Sequence, residues 1–153
     1  MLRYVNYFKY ILLHKWYVFR ACAITGCPLI YGIMHDISKF YPSEFFPYAR
    51  RFYYPNGMKR KCSDGNDSDF DMAWLLHQKR NKHHWNYYVL VKDGGGLYAL
   101  PMPEGRIREI VADWIGAGLA IHGKLDVKPW YYANKKSMTM HESTRKIVEQ
   151  QLI

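Results

Sequence analysis

The chain predicts an all-α fold carrying one small β-hairpin, and three observations support that prediction. Apolar residues fall at helical spacing over residues 4–24, 72–88 and 104–121. Clusters of Gly, Pro, Asn, Asp and Ser separate those segments, around Gly26 and Pro28, across 55–71 and at 93–96. Only residues 89–100 read as a strand pair. With 153 residues, 49% of them apolar and 17% aromatic, the chain has material for one core, so a compact single domain over 1–153 is expected.

The first helix covers residues 4–24 and stops near Thr25-Gly26. Pro28 suits the first turn of a second helix, which reaches about Phe40. Tyr41-Pro42-Ser43-Glu44 marks a break and a new start, followed by an aromatic and basic stretch from Phe45 to Tyr54. Pro55 to Asp71 reads as a loop. The third helix runs from about Met72 to Tyr88. Val89–Lys92 and Leu97–Leu100 flank the turn Asp93-Gly94-Gly95-Gly96. The fourth helix covers about Glu104 to Ile121, with an apolar stripe of Ile107, Ile110, Val111, Trp114, Gly118 and Ile121. Thr139-x-x-Glu142 is a capping-box pattern that opens a last short helix, Met140 to Leu152.

Composition narrows the function. Lys and Arg number 22 against 13 acids, a net charge of +9, which favours anionic partners. The cations are scattered apart from Arg50-Arg51 and Lys59-Arg60-Lys61, and no nucleic-acid-binding motif is present, so nucleic acid is the weaker expectation. The cysteines, Cys22, Cys27 and Cys62, are odd in number and too few for a disulfide-stapled secreted domain or a zinc ribbon. The longest run free of charge, Ala21 to Met34, is too short to span a bilayer. Arg3, Lys9 and Lys15 interrupt the start of the chain, unlike a signal peptide. A cytoplasmic protein without membrane association is expected.

The seven histidines carry the chemistry. On a helical wheel His14 lies opposite Lys9 and Arg20, among Tyr7, Tyr10, Ile11, Tyr17 and Val18, hence on a buried face. Alone, it reads as a core imidazole bonded to a tyrosine. On the third helix Trp74, His77, Asn81, His84, Trp85 and Tyr88 share one face within about 100°. His83 points to the solvated side with Lys79, Arg80 and Lys82, so His84 is the candidate of the pair. His35-Asp36 offers one imidazole and one carboxylate to a single cation, and Lys39 lies one turn along. Asp113 sits at the edge of the fourth helix's stripe, near Glu109; its bland reading is a pair with Arg106 or a tyrosine. Buried imidazoles need partners for both nitrogens, and several converging on one place point to a metal.

The order His14, then His35-Asp36, then His77 with His84, then Asp113, each step on a separate helix, resembles the HD-domain superfamily of metal-dependent phosphohydrolases. His35-Asp36-Ile37-Ser38-Lys39 is similar to the His-Asp-x-Gly-Lys motif of its cyclic-dinucleotide phosphodiesterase branch, with Ser38 in place of Gly, and His83-His84 to that branch's paired histidines. The branch's glycine-tyrosine-proline signature is missing. The chain also resembles a family of tailed phages and gut bacteria, through His35-Asp-x-Ser-Lys-Phe40, Trp74-x-x-His77, Asn81-x-His-His-Trp85 and Ala112-Asp-Trp114; a phage origin would place it in the host cytoplasm. The superfamily resemblance implies a compact HD-like helical domain. It makes His14, His35, Asp36 and Asp113 the ligands of one divalent metal, with His77 and His84 adding a second around a bridging Asp36. Mn, Fe, Co, Zn and Mg are not distinguished.

Such a site implies hydrolysis of a nucleotide or another phosphate ester by metal-activated water. Lys39, with Asp36 the expected catalytic pair, would neutralise phosphate charge. Arg106, Lys79 and Arg145 are further candidates for holding substrate, and Asn81 and Glu109 for orienting ligands. Trp85 or Tyr88 stacks on a base or belongs to the core. The loop at 55–71 and the hairpin turn at 93–96 are the segments free to act as a lid. Asp64, Asp67, Asp69 and Asp71 do not form an EF-hand, because the sixth position from Asp67 is not Gly and the twelfth is Gln78. The competing expectations are a di-iron oxygenase built on the same ligands, and a non-enzymatic phage protein that binds a host factor.

Overall fold

Helix α1 (Leu2–Thr25) forms the spine of the structure, a computed structural model that describes residues 1–61 and 67–152. It ends where Gly26 takes the left-handed conformation at φ 66°, closing its N–H onto the Cys22 carbonyl. Antiparallel to it lies α5 (Glu104–His122). The two approach closely at Gly116, where a Cβ would stand 2.5 Å from Val18 Cγ2 and 2.8 Å from Val18 N.

The second predicted helix is shorter than expected. Helix α2 (Leu29–Met34) stops because His35 is extended and Asp36 is left-handed at φ 53°, after which Ile37–Phe40 form one 3-10 turn. The carbonyls left open there are taken by Lys15, whose ammonium donates to Ile33 O at 3.0 Å and to His35 O. Helix α3 (Pro42–Phe52) starts with Pro42 in its first turn, as the Tyr41–Glu44 break predicts.

Helix α4 (Ser68–Arg80) begins inside the stretch expected to be loop and ends well before Tyr88. Asp67 caps it by accepting the Phe70 N–H at 3.2 Å. At the other end Asn81 turns to extended backbone, and its own side chain donates to His77 O at 2.8 Å, competing with the helical ladder. Trp85–Tyr88 form a separate 3-10 turn. Cys62 and Asp64 lie outside the described residues.

Strands β1 (Val89–Val91) and β2 (Leu97–Ala99) pair antiparallel with Val89 opposite Ala99, the expected hairpin. Helix α6 (Lys128–Asn134) was not expected: seven residues are too few to show a period. Helix α7 (Glu142–Gln151) is capped by His141, whose Nδ1 accepts the Ser143 N–H, and not by a capping box from Thr139.

Two apolar clusters fill the interior. Val18, Ala21 and Cys22 of α1 pack with Ile107, Ile110, Val111 and Ile115 of α5, Tyr131 of α6 and Val148 of α7. Tyr7 and Ile11 of α1 pack with Tyr48, Ala49, Tyr53 and Ala73. His14 falls between Ile11 and Val18, so polar side chains occupy the seam between the clusters. The stripe expected on α5 drifts: Trp114 and Gly118 are half-buried, and Ile121 is 49% exposed because α5 outruns the core at its C-terminal end. Trp85 and Tyr88 pack against the first cluster and belong to the core. Among the described residues no helix is long and apolar enough to cross a membrane.

Candidate metal centre

Asp36 stands at the centre of the seam. Its left-handed backbone turns the chain sharply between α2 and the following 3-10 turn, which places a carboxylate, 1% exposed, among imidazoles from three segments. Its two oxygens face two donor sets. His14, His35, Asp36 and Asp113 form one, and Asp36, His77, His83 and His84 the other; within each set the donor atoms lie within 4.8 Å of one another. All six expected ligands are therefore brought together, with Asp36 common to both sets.

The separations suit donors that could hold a metal ion. His14 Nε2 lies 3.1 Å from Asp113 Oδ1 and 3.5 Å from Asp36 Oδ2. His35 Nε2 lies 3.4 Å from Asp36 Oδ2 and 3.3 Å from Asp113 Oδ1. In the second set, His77 Nε2 and His83 Nε2 stand 3.3 Å and 3.4 Å from Asp36 Oδ1. Four donors about 2.1 Å from one ion stand about 3.4 Å apart at the edges of a tetrahedron. Among the described residues, His14 Nε2, His77 Nε2, His83 Nε2, His84 Nε2 and Asp36 Oδ1 are buried without a hydrogen-bond partner. Buried polar atoms left without hydrogen bonds at this density are costly unless a cation takes them. The donors therefore fit one or two metal ions.

His83 corrects the wheel prediction. It is 1% exposed and a member of the second set, and His84 joins it half-buried. The wheel fails because α4 ends at Arg80: residues 81–84 are not helical, so neighbouring histidines no longer point apart. The rings of His83 and His84 lie 4.2 Å apart, and His35 and His83 4.3 Å.

Buried acids orient the ligands from behind. Glu109 Oε1 lies 3.3 Å from Nδ1 of both His35 and His83, aiming each Nε2 at Asp36. Arg106 donates to Glu109 Oε2 at 2.5 Å and lies 3.8 Å from the centre of the Tyr31 ring, so it holds Glu109 in place. Glu44, fully buried, does the same for His77 by accepting from its Nδ1 at 2.8 Å. Ser38 Oγ and Arg80 also donate to Glu44, at 2.8 and 2.7 Å. Asn81 donates to Ser38 Oγ at 2.7 Å, which supports its expected orienting role. Sequence reasoning missed Glu44, Ser38 and Arg80. The only signal was an acid in the first turn after Pro42, which ordinarily reads as a favourable helix start.

Two of the expected substrate residues are placed elsewhere. Lys79 is exposed, and its neighbour Arg80 makes the contact with Glu44. Arg145 donates to the Tyr131 hydroxyl and to the Lys135 and Met138 carbonyls, tying α7 to α6. Lys39 is at the site, but its ammonium lies 2.6 Å from Asp36 Oδ2.

Electrostatics divides the imidazoles. Burial opposes charge on His35, yet Asp36 and Asp113 outweigh it and raise its pKa to about 10. His83 is pushed down by burial and by His35, and His84 well down by burial, His83 and His77. Burial likewise opposes ionisation of Asp36, and His35, Lys39 and His77 overcome it, holding the carboxyl well below its ordinary range. His77, opposed by burial, is raised by Asp36 and Glu44. The site thus offers ionised carboxylates, with neutral imidazoles at His83 and His84, the forms that bind metal.

No curated protein and no solved structure matches this chain. Residues 3–153 match the family described as a family of unknown function (DUF5662), and the chain belongs to that family.

Proposed function

We propose that this chain is a metal-dependent phosphohydrolase, acting on a nucleotide or another phosphate ester. The observation that carries the reading is one buried carboxylate, Asp36, shared by two four-donor sets. Donors that are mostly imidazole suit Zn, Fe or Co better than Mg. A divalent ion held there supplies Lewis acidity and a hydroxide-like nucleophile at neutral pH.

The chain's own residues do the rest. Glu109 and Glu44 fix three imidazole rings, so the donor sets need little rearrangement. The apolar clusters on either side keep water out of the seam, which strengthens each charge interaction in it. Asp113, 14% exposed, Lys39, 13% exposed, and half-buried His84 are the members that meet solvent, and they mark where substrate enters. Lys39 is placed to exchange Asp36 for a substrate phosphate oxygen, because its flexible stem carries a compact charge.

The test is elemental analysis of purified protein, followed by a screen of nucleotides and simple phosphate esters with the loaded enzyme. One to two ions per chain, and phosphate release lost in Asp36→Ala, support the reading. Less than one ion per few chains after reconstitution overturns it. A di-iron oxygenase would instead show colour and an EPR signal, and would release no phosphate.

A further inference from the structure

A cleft of about 230 Å³ opens beside the metal centre, lined by Tyr10, Phe52, Tyr53, Lys59, Arg60 and Ile121. Its wall is shared with the site: the Tyr10 ring stacks on His14, 6.0 Å between centroids and 14° between planes. Tyr10 is one turn before His14 on α1, about 6 Å along the axis, and Ile121 is two turns beyond Asp113 on α5, about 12 Å along. Tyr10 is therefore the wall residue that joins the cleft to the donor sets, and Asp113, 14% exposed, lies on the same helix as Ile121.

Its chemistry is specific. Three aromatic rings, from α1, α3 and the residue after α3, form the walls, and Ile121 gives an apolar side. Lys59 and Arg60 stand at an exposed rim, and among the described residues that line the cleft there is no acid. The Arg60 guanidinium is already held, donating to Arg50 O at 3.0 Å and lying 5.3 Å from the Tyr54 ring centre, so that charge is fixed in place. A rim with fixed positive charge over aromatic walls suits a planar ring that arrives attached to an anion. The volume is below the roughly 300–1,000 Å³ typical of pockets for drug-sized ligands, which leaves room for one ring system.

We infer that this cleft is the base-binding subsite of the metal centre, and that the ligand is a nucleoside monophosphate whose heteroaromatic ring stacks against Tyr10, Phe52 and Tyr53 while its phosphate faces Asp113 and Lys39. The phosphate half of the inference rests on the hydrolase reading above; the ring half does not. Ring binding depends on the aromatic walls and on the open space beside Ile121, and phosphate binding depends on the metal.

The two halves are separated by probes that cannot be turned over. Adenosine and inorganic phosphate are titrated into metal-loaded protein, into chelator-treated protein, and into the variants Ile121→Trp and Ile121→Ala. Ile121 is 49% exposed, so neither change threatens the core, and unchanged thermal midpoints verify this. Adenosine should bind with or without metal. Ile121→Trp should weaken it about tenfold or more, the scale of losing one base–aromatic stack, while Ile121→Ala stays within about threefold. Inorganic phosphate should need the metal and ignore both variants. Adenosine that fails to bind, or that binds Ile121→Trp as it binds the parent, overturns the subsite. Adenosine binding with the expected variant pattern, in a protein inert toward every phosphate ester, supports the ring subsite while the hydrolase reading fails.

Discussion

The Lys39 ammonium stands 2.6 Å from Asp36 Oδ2, on the same oxygen that faces His14 and His35. Lysine thus neutralises the shared carboxylate from inside the donor ring. Lys39→Met should bind metal more tightly, by about tenfold, equivalent to about 1.4 kcal/mol of relieved repulsion. Without metal, the same variant should lose about 3 kcal/mol or more, because a buried carboxylate loses its ion partner. Thermal melts with and without chelator, compared with the parent, check both signs; a narrower gap between the two melts than in the parent contradicts the argument.

Glu44 touches His77 and none of the other donors. Glu44→Gln should therefore weaken metal at the second donor set by about 10–100-fold, while the set containing His14 and Asp113 keeps its ion. Competition against a chelator of known affinity resolves the two sites. Equal losses at both would show that Glu44 supports the fold and not one ligand.

His83 and Lys79 lie four residues apart on opposite sides of the helix end at Arg80. His83→Ala should reduce bound metal toward one ion per chain, and Lys79→Ala should leave occupancy unchanged. Elemental analysis of both variants decides the matter; retention of two ions in His83→Ala removes His83 from the set.

Gly116 lets α1 and α5 meet at Val18. Gly116→Ala puts a methyl group against the Val18 backbone, which cannot move as a side-chain tip can. A cost of about 1–3 kcal/mol is expected, with weaker metal binding as well, because His14 and Asp113 lie about one turn from the clash on the two separated helices. A melt unchanged from the parent would mean that the helices slide apart freely.

Far from the site, Glu149 Oε1 accepts from Lys135 Nζ at 3.0 Å and from the Tyr131 hydroxyl at 3.2 Å. The Lys135 contact is the main reason its pKa lies below the ordinary 4.5. A depressed carboxyl pKa stabilises the fold above the unfolded value and loses that contribution as pH falls through the folded one. The parent should exceed Glu149→Gln in stability at neutral pH by under about 1 kcal/mol, as a half-exposed pair allows, and converge with it below pH 4. A difference that grows on acidification would reverse the sign.

How much of this was legible in the sequence depended on whether a helix continued. His14 was found because α1 is uninterrupted around it, so its wheel holds. His83 was misplaced because the wheel was drawn past Arg80, where Asn81 breaks the ladder with its own amide. Asp36 and Asp113 were readable as members of the donor sets through the order of motifs. Glu44 was not, since a first-turn glutamate is usually exposed and its burial depends on α3 packing against α4 and its contact with His77 from a distant segment. Helix α6 escaped because seven residues carry no readable period.

The turn at Asp36 sets two selective demands against each other. A non-glycine residue at φ 53° is strained by about 1 kcal/mol or more, and glycine would relieve it. Asp36→Gly should therefore ease the backbone while removing the oxygen common to both donor sets. The chain keeps an uncomfortable residue at this corner, and what the strain secures is a carboxylate facing both groups of imidazoles.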